Sequence, residues 1–192
     1  MLCWGSWANT TKLTSKGWRF ELLYWDYGFG ILLTTLLLAF TLGSNGTEGR
    51  SFLSDMKQAE SANLLSAFAG GVVFNLANIL LVAAIGIAGM SVAFPVGIGI
   101  ALVLGVVVNY ISTPQGNPVL IFGGVALITL AIVLNARAYQ KLQTNAEGGI
   151  SKKGLILSVV SGCLMGLFYK YVAGSMVTNF NVPDAGKLTP YT

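Results

Sequence analysis

Histidine is absent from this chain. That removes imidazole metal ligands, a Ser-His-Asp triad and a histidine proton relay, and leaves carboxylates, lysines and tyrosines to carry any proton. Cysteine is almost absent. Cys3 and Cys163 stand far apart in apolar segments, so there is neither a disulfide framework nor a C-x-x-C metal spacing, and both read as small packing residues. Charge is scarce too: 9% of the residues are charged, against roughly a quarter in soluble domains. Between Glu60 and Arg137 no Asp, Glu, Lys or Arg occurs. A soluble core cannot absorb 54% hydrophobic residues at that charge content. A bilayer can, because charge at its centre is costly and each span needs about 20 apolar residues. The net charge of +4 is no nucleic-acid signal, since Lys and Arg sit in short segments beside apolar runs. The amino-terminal region lacks a basic leader before its apolar run and meets Lys12 early, which argues against a signal peptide. Gly148 to Lys153 lacks the G-x-x-x-x-G-K-[ST] spacing of a phosphate loop. With no metal set and no cofactor motif, neither an enzyme nor a cofactor is expected.

What is present is a series of long apolar runs. Met1 to about Thr11 is half a span, about 16 Å of helix at 1.5 Å per residue. Phe20 to Leu42 is a full span that opens on Phe20, Tyr24, Trp25 and Tyr27, an aromatic belt at a headgroup boundary. Gly43 to Glu60 reads as a loop. Three spans follow, Ala62 to Ile85, Met90 to Ile111 and Val119 to Ala136, joined by the short uncharged links 86–89 and 112–118, which permit only tight antiparallel hairpins. Arg137 to Lys153 is a polar connection, Gly154 to Met176 a last span, and 179–192 a loop. Successive loops alternate sides. One side collects Lys12, Lys16, Arg19, Arg137, Lys141, Lys152 and Lys153, the other only Arg50, Lys57 and Lys187, so the first side is expected to be cytoplasmic.

Several residues inside these spans can carry chemistry. Asp26 lies about 9 Å of helix rise beyond Phe20, and Gly30 and Thr34 share its face. It reads either as a proton-coupling carboxylate facing a cavity or as an interfacial anchor near Arg19. Asn75 and Asn78 form a polar stripe with Gly71 and serve either as interhelical hydrogen-bonding groups or as substrate ligands. Tyr169 and Lys170 stand toward the outer end of the last span. Lys170 either binds a carbonyl or anionic group or snorkels to the interface, and its depth differs from that of Asp26 by about 15 Å, too far for a direct ion pair. Trp4 and Trp7 suit either stacking on a planar substrate or the membrane interface. Pro95 with Gly97 favours a kink or a broken helix, a feature that often marks substrate depth in transporters. The series Gly97, Ala101, Gly105 and Ser158, Gly162, Gly166 are small-xxx-small packing signals.

The strings Met1-Leu2-Cys3-Trp4-Gly5-Ser6-Trp7-Ala8-Asn9-Thr10, Arg19-Phe20-Glu21-Leu22 and Tyr24-Trp25-Asp26-Tyr27 resemble the ureide permease family of plants and its microbial relatives, within the drug/metabolite transporter superfamily. So do Asn75 to Leu81, Ala93 to Gly99 and Gly186 to Thr192. The resemblance implies an all-α membrane protein, a drug/metabolite transporter-type helical bundle of two inverted five-helix repeats. Of this the chain would hold the first repeat in 1–136, a cytoplasmic connection in 137–153, the first helix of the second repeat in 154–178 and an extracytoplasmic loop in 179–192. It looks like an incomplete copy of a longer protein. The resemblance further implies proton-coupled uptake of allantoin, uracil or related oxo-derivatives of nitrogen heterocycles, at the plasma membrane, with a small-molecule substrate, protons and the lipid bilayer as partners and no nucleic acid. A sugar or drug permease of the same superfamily, a non-transporting membrane subunit or fragment, and a homodimer remain alternatives.

Overall fold

The computed structural model describes residues 20–45, 49–112, 114, 116–143, 151–179 and 184–190, and only the backbone of Phe20, Glu21 and 139–143. Met1 to Thr11, with Trp4 and Trp7, lies outside the described residues. Six helices are found among the described residues: α1 Phe20–Phe40, α2 Phe52–Gln58, α3 Ser61–Ala88, α4 Met90–Ser112, α5 Pro118–Gln143 and α6 Lys152–Ser175. All but α2 are long and apolar enough to cross a membrane. The chain is an all-α, multi-pass integral membrane protein.

The chain divides into two compact units, 1–58 with 179–184 and 189–192, and 59–178 with 185–188. The second unit holds α3 to α6. Its helix order follows from glycine contacts and hydroxyl bonds. A Cβ at Gly154 would meet Ala88, Ser161 Oγ donates to the Ala77 carbonyl at 2.7 Å, and Ser66 Oγ donates to the Tyr171 carbonyl at 2.9 Å. As α6 rises in number α3 falls, so the two run antiparallel. Against α4 the numbers rise together: a Cβ at Gly162 would stand 2.5 Å from the Gly97 carbonyl oxygen, and one at Gly166 would stand 2.8 Å from Leu104 Cβ. The two small-residue series therefore pack on each other, and α6 lies between α3 and α4 with backbones in direct contact. The buried core beneath is Ala77, Leu81 and Met165, flanked by Phe74, Phe94, Ile98 and Phe168.

Two expectations change. The link 86–89 shrinks to Gly89, because α3 continues to Ala88 and α4 starts at Met90. Gly89 has φ 79°, donates to the Ile85 carbonyl and accepts from Ala93 N, so one left-handed residue closes one helix and opens the next. Pro95 does not break its helix, as α4 runs unbroken from Met90 to Ser112. The proline sits in the second turn and withholds a helical donor only from the Ser91 carbonyl. Gly97 serves packing, since a Cβ there would stand 2.8 Å from Leu81 Cδ1.

The lipid-facing helices show what the membrane replaces. No residue of the α5 span is buried, and Val119, Leu120, Leu127, Leu130 and Leu134 are exposed. Apolar side chains all round a helix fit hydrocarbon, not water.

In the first unit α1 carries Asp26, and Thr34 Oγ1 donates back to the Gly30 carbonyl at 2.7 Å. The segment read as a loop contains α2, entered by way of Ser51, the type of residue that caps a helix start. Phe40 and Phe52 meet edge to face, with ring centroids 5.1 Å apart.

Candidate functional site

The α4 and α6 helices stay in close contact from Gly97 and Gly162 up to Gly105 and Gly166, where a Cβ on Gly166 would stand 3.1 Å from the Ala101 carbonyl oxygen and 3.3 Å from Gly105 N. Beyond that point a groove of about 660 Å³ opens between the end halves of α4 and α6 and the first turn of α5. Its floor and walls are Ala101, Leu102, Gly105, Val106, Ile121, Met165 and Phe168, and its polar lining is Asn109, Tyr110, Tyr169 and Thr178. Three ring contacts shape the wall. Tyr110 packs edge-on against Phe122 at 5.2 Å, and Phe168 stands between Phe74 at 4.9 Å and Tyr169 at 6.4 Å.

Among the described residues, no charged side chain lines the groove. A mostly apolar cleft of several hundred Å³ with a few polar groups is the usual form of a small-molecule site. An amide, two phenols and a hydroxyl can orient a neutral polar molecule. They cannot compensate an ion taken out of water.

Of the residues singled out in the sequence, Tyr169 lines this groove. Lys170, one position on, is exposed and outside it. Asn78 is buried at 3% exposure, while Gly71 and Asn75 are exposed, so the expected stripe divides between the packed and the open face of α3. Asp26 is exposed on α1, in the other compact unit. Asn109 is the residue that sequence reasoning undervalued. Its place near a span end suggests an interfacial group, and only the groove formed with α6 and the first turn of α5 turns that span end into a wall.

A second polar centre in the first unit was not foreseen at all. Asp55 is completely buried. Its carboxylate accepts from Arg50 Nε at 2.6 Å, Gln58 Nε2 at 3.0 Å and the backbone N–H of Thr189 at 2.7 Å. Arg50 Nη2 also donates to the Asp184 carbonyl at 2.9 Å. The end of the chain is held elsewhere too. In the second unit the Gly186 carbonyl accepts from Glu60 N and Asn63 Nδ2, and Leu188 pairs with Met176 through bonds to Ser175 and Val177. Residues 184–190, expected to be a plain loop, are thus bonded at almost every second position.

A sequence model of the family described as "Ureide permease" matches residues 23–176. The chain belongs to the ureide permease family. Ureide permease 2 of Arabidopsis thaliana is 29% identical over 157 residues, which are 79% of this chain and 39% of that protein. Ureide permease 1 of the same plant is 28% identical over 142 residues, 73% of this chain and 36% of that protein. The probable ureide permease A3 of Vigna unguiculata is 31% identical over 135 residues, 68% of this chain and 36% of that protein. The chain spans about two fifths of the length of these relatives or less. No solved structure matches. The family match covers the whole of α3, α4 and α6, so every lining residue of the groove named above except Thr178 lies inside the matched stretch.

Proposed function

We propose that this protein is a secondary membrane transporter of small neutral polar metabolites, a proton-coupled importer of ureides or oxo nitrogen heterocycles such as allantoin or uracil. The observation that carries the reading is the groove of about 660 Å³, without a charged side chain among its described lining residues and walled by Asn109, Tyr110 and Tyr169, in a chain of the ureide permease family. Such substrates are neutral, contain a flat lactam or hydantoin ring and present amide-like edges, which matches an aromatic and amide lining.

Coupling is assigned to Asp26. It is exposed within the apolar span Leu22–Phe40, where an ionisable group is retained for function or faces a polar environment. In the same reading 1–136 form the first of two inverted repeats and 154–178 open the second. The protein resides in the plasma membrane with 137–153 on the cytoplasmic side.

The test is uptake of labelled allantoin and uracil into cells expressing the protein, with and without a protonophore. Accumulation against a gradient that the protonophore abolishes is the expected result. Asp26→Asn should remove that accumulation while leaving membrane insertion intact. Protonophore-sensitive accumulation by Asp26→Asn would return Asp26 to an interfacial anchor. Uptake of labelled monosaccharide in place of both substrates would favour the sugar-permease alternative.

A further inference from the structure

We infer that Asn109 is the residue that selects substrate in this groove, reading the adjacent N–H and C=O of a ureide or lactam edge while Tyr110 and Tyr169 flank the planar ring. The inference rests on the transport reading above for its substrate class. A primary amide offers one acceptor oxygen and two N–H donors at one side-chain end. A neutral –NH–C(=O)– edge offers the complementary pair, so two hydrogen bonds form side by side. A carboxylate or ammonium ligand would satisfy one half of that pattern and lose its hydration without a counter-charge, because none of the described lining residues is charged. Asn109 is the one amide among the groove's described lining residues, and it adjoins Tyr110 in sequence. The remaining polar groups, the hydroxyls of Tyr110, Tyr169 and Thr178, each give a single donor-acceptor oxygen and do not distinguish a lactam edge from any other polar group. Discrimination by such a pair is steep. A site built to hydrogen-bond a substrate N–H rejects the analogue that lacks it far more strongly than an apolar pocket rejects an extra methyl group.

The experiment measures binding on the purified 192-residue chain in nanodiscs, with uracil and 1,3-dimethyluracil as probes, apart from transport. The dimethyl compound keeps ring and carbonyls and lacks both N–H groups. The wild-type chain should prefer uracil, and Asn109→Ala should weaken uracil binding about 10- to 100-fold, the loss expected for two hydrogen bonds, while weakening dimethyluracil, which can only accept, much less. In a Cys3→Ser, Cys163→Ser background, Asn109→Cys should react with a water-soluble thiol reagent, and dimethyluracil, which needs no amide partner, should slow that reaction at high concentration. A variant that keeps the wild-type preference, a wild-type chain that binds neither probe, or labelling unaffected by ligand would overturn the inference. Binding with the expected preference but no uptake in cells would overturn the transport reading and leave Asn109 as the selector of a binding protein.

Discussion

Asp55 is buried, with its carboxylate held by Arg50, Gln58 and the Thr189 backbone, whereas Asp26 stands exposed on an apolar helix. The two aspartates therefore answer to different physics. Removing one partner of a buried, hydrogen-bonded ion pair leaves the other uncompensated and costs about 3–5 kcal/mol. Asp55→Ala should lower thermal stability in detergent by that order, whereas Lys57→Ala, at an exposed position of the same short helix, should shift it by no more than about 0.5 kcal/mol. Equal shifts in the two variants would mean that the Asp55 cluster contributes nothing to the fold. Asp26→Asn should instead leave the melting transition in place and act on coupling. None of the Asp55 cluster was legible in the sequence. Arg50, Asp55, Asp184 and Thr189 are recognisable only once the end of the chain is seen beside α2, more than a hundred residues away, and a charge count treats the three charged ones as ordinary loop charges. Ser51 ahead of Phe52 was the one local signal, and it announces a helix start without naming a partner for Asp55.

The spans themselves were legible because a charge-free apolar run of bilayer length fits hydrocarbon and little else. Their ends were less so. Gly86 with Gly89 resembles a link, yet Ala88 remains helical because Gly154 packs against it and Gly89 alone can make the turn. The series Gly97, Ala101, Gly105 and Ser158, Gly162, Gly166 were readable as packing surfaces, although only the contacts reveal that they pack on each other. This pairing makes a sharp prediction. Gly→Ala inside a helix ordinarily gains about 0.5–1 kcal/mol of backbone entropy. At Gly162 the new Cβ would stand 2.5 Å from the Gly97 carbonyl oxygen and 2.9 Å from Ile100 Cβ, and overpacking of that kind costs about 1–3 kcal/mol. Backbone cannot step aside as a flexible side chain does, so the clash wins. Gly162→Ala should lower the melting temperature, while Gly71→Ala and Gly124→Ala, where nothing lies within 4 Å, should leave it unchanged or raise it. Stabilisation by Gly162→Ala would mean that α4 and α6 are further apart than described. The groove was the least legible feature at this scale, because it is formed between three helices, and their placement leaves no periodic trace in any one of them.

Across the molecule, alternation of spans and the bias of positive charge combine into a statement about sidedness. The helix α3 runs antiparallel to α6 and α4 runs parallel to it, so the carboxyl ends of α4 and α6 and the start of α5 meet at one end of the second unit, where the groove opens. The amino end of α6, with Lys152 and Lys153, lies at the other end. If Lys and Arg mark the cytoplasmic face, the groove opens outward, the side from which an importer takes its substrate. In a Cys3→Ser, Cys163→Ser background, Lys57→Cys, on the side opposite to Lys153 by span count, should be labelled by a membrane-impermeant thiol reagent in intact cells. Lys153→Cys should be labelled only after permeabilisation. Both positions are exposed in the folded chain, so burial cannot account for a difference between them. The reverse pattern would place the groove on the cytoplasmic face. Asn109 would then read substrate on its way out of the protein, and the direction of transport would have to be assigned anew. Labelling of both from outside would break the alternation itself and require one of the apolar helices, of which α3 and α4 share the tightest turn at Gly89, to lie in the bilayer without crossing it.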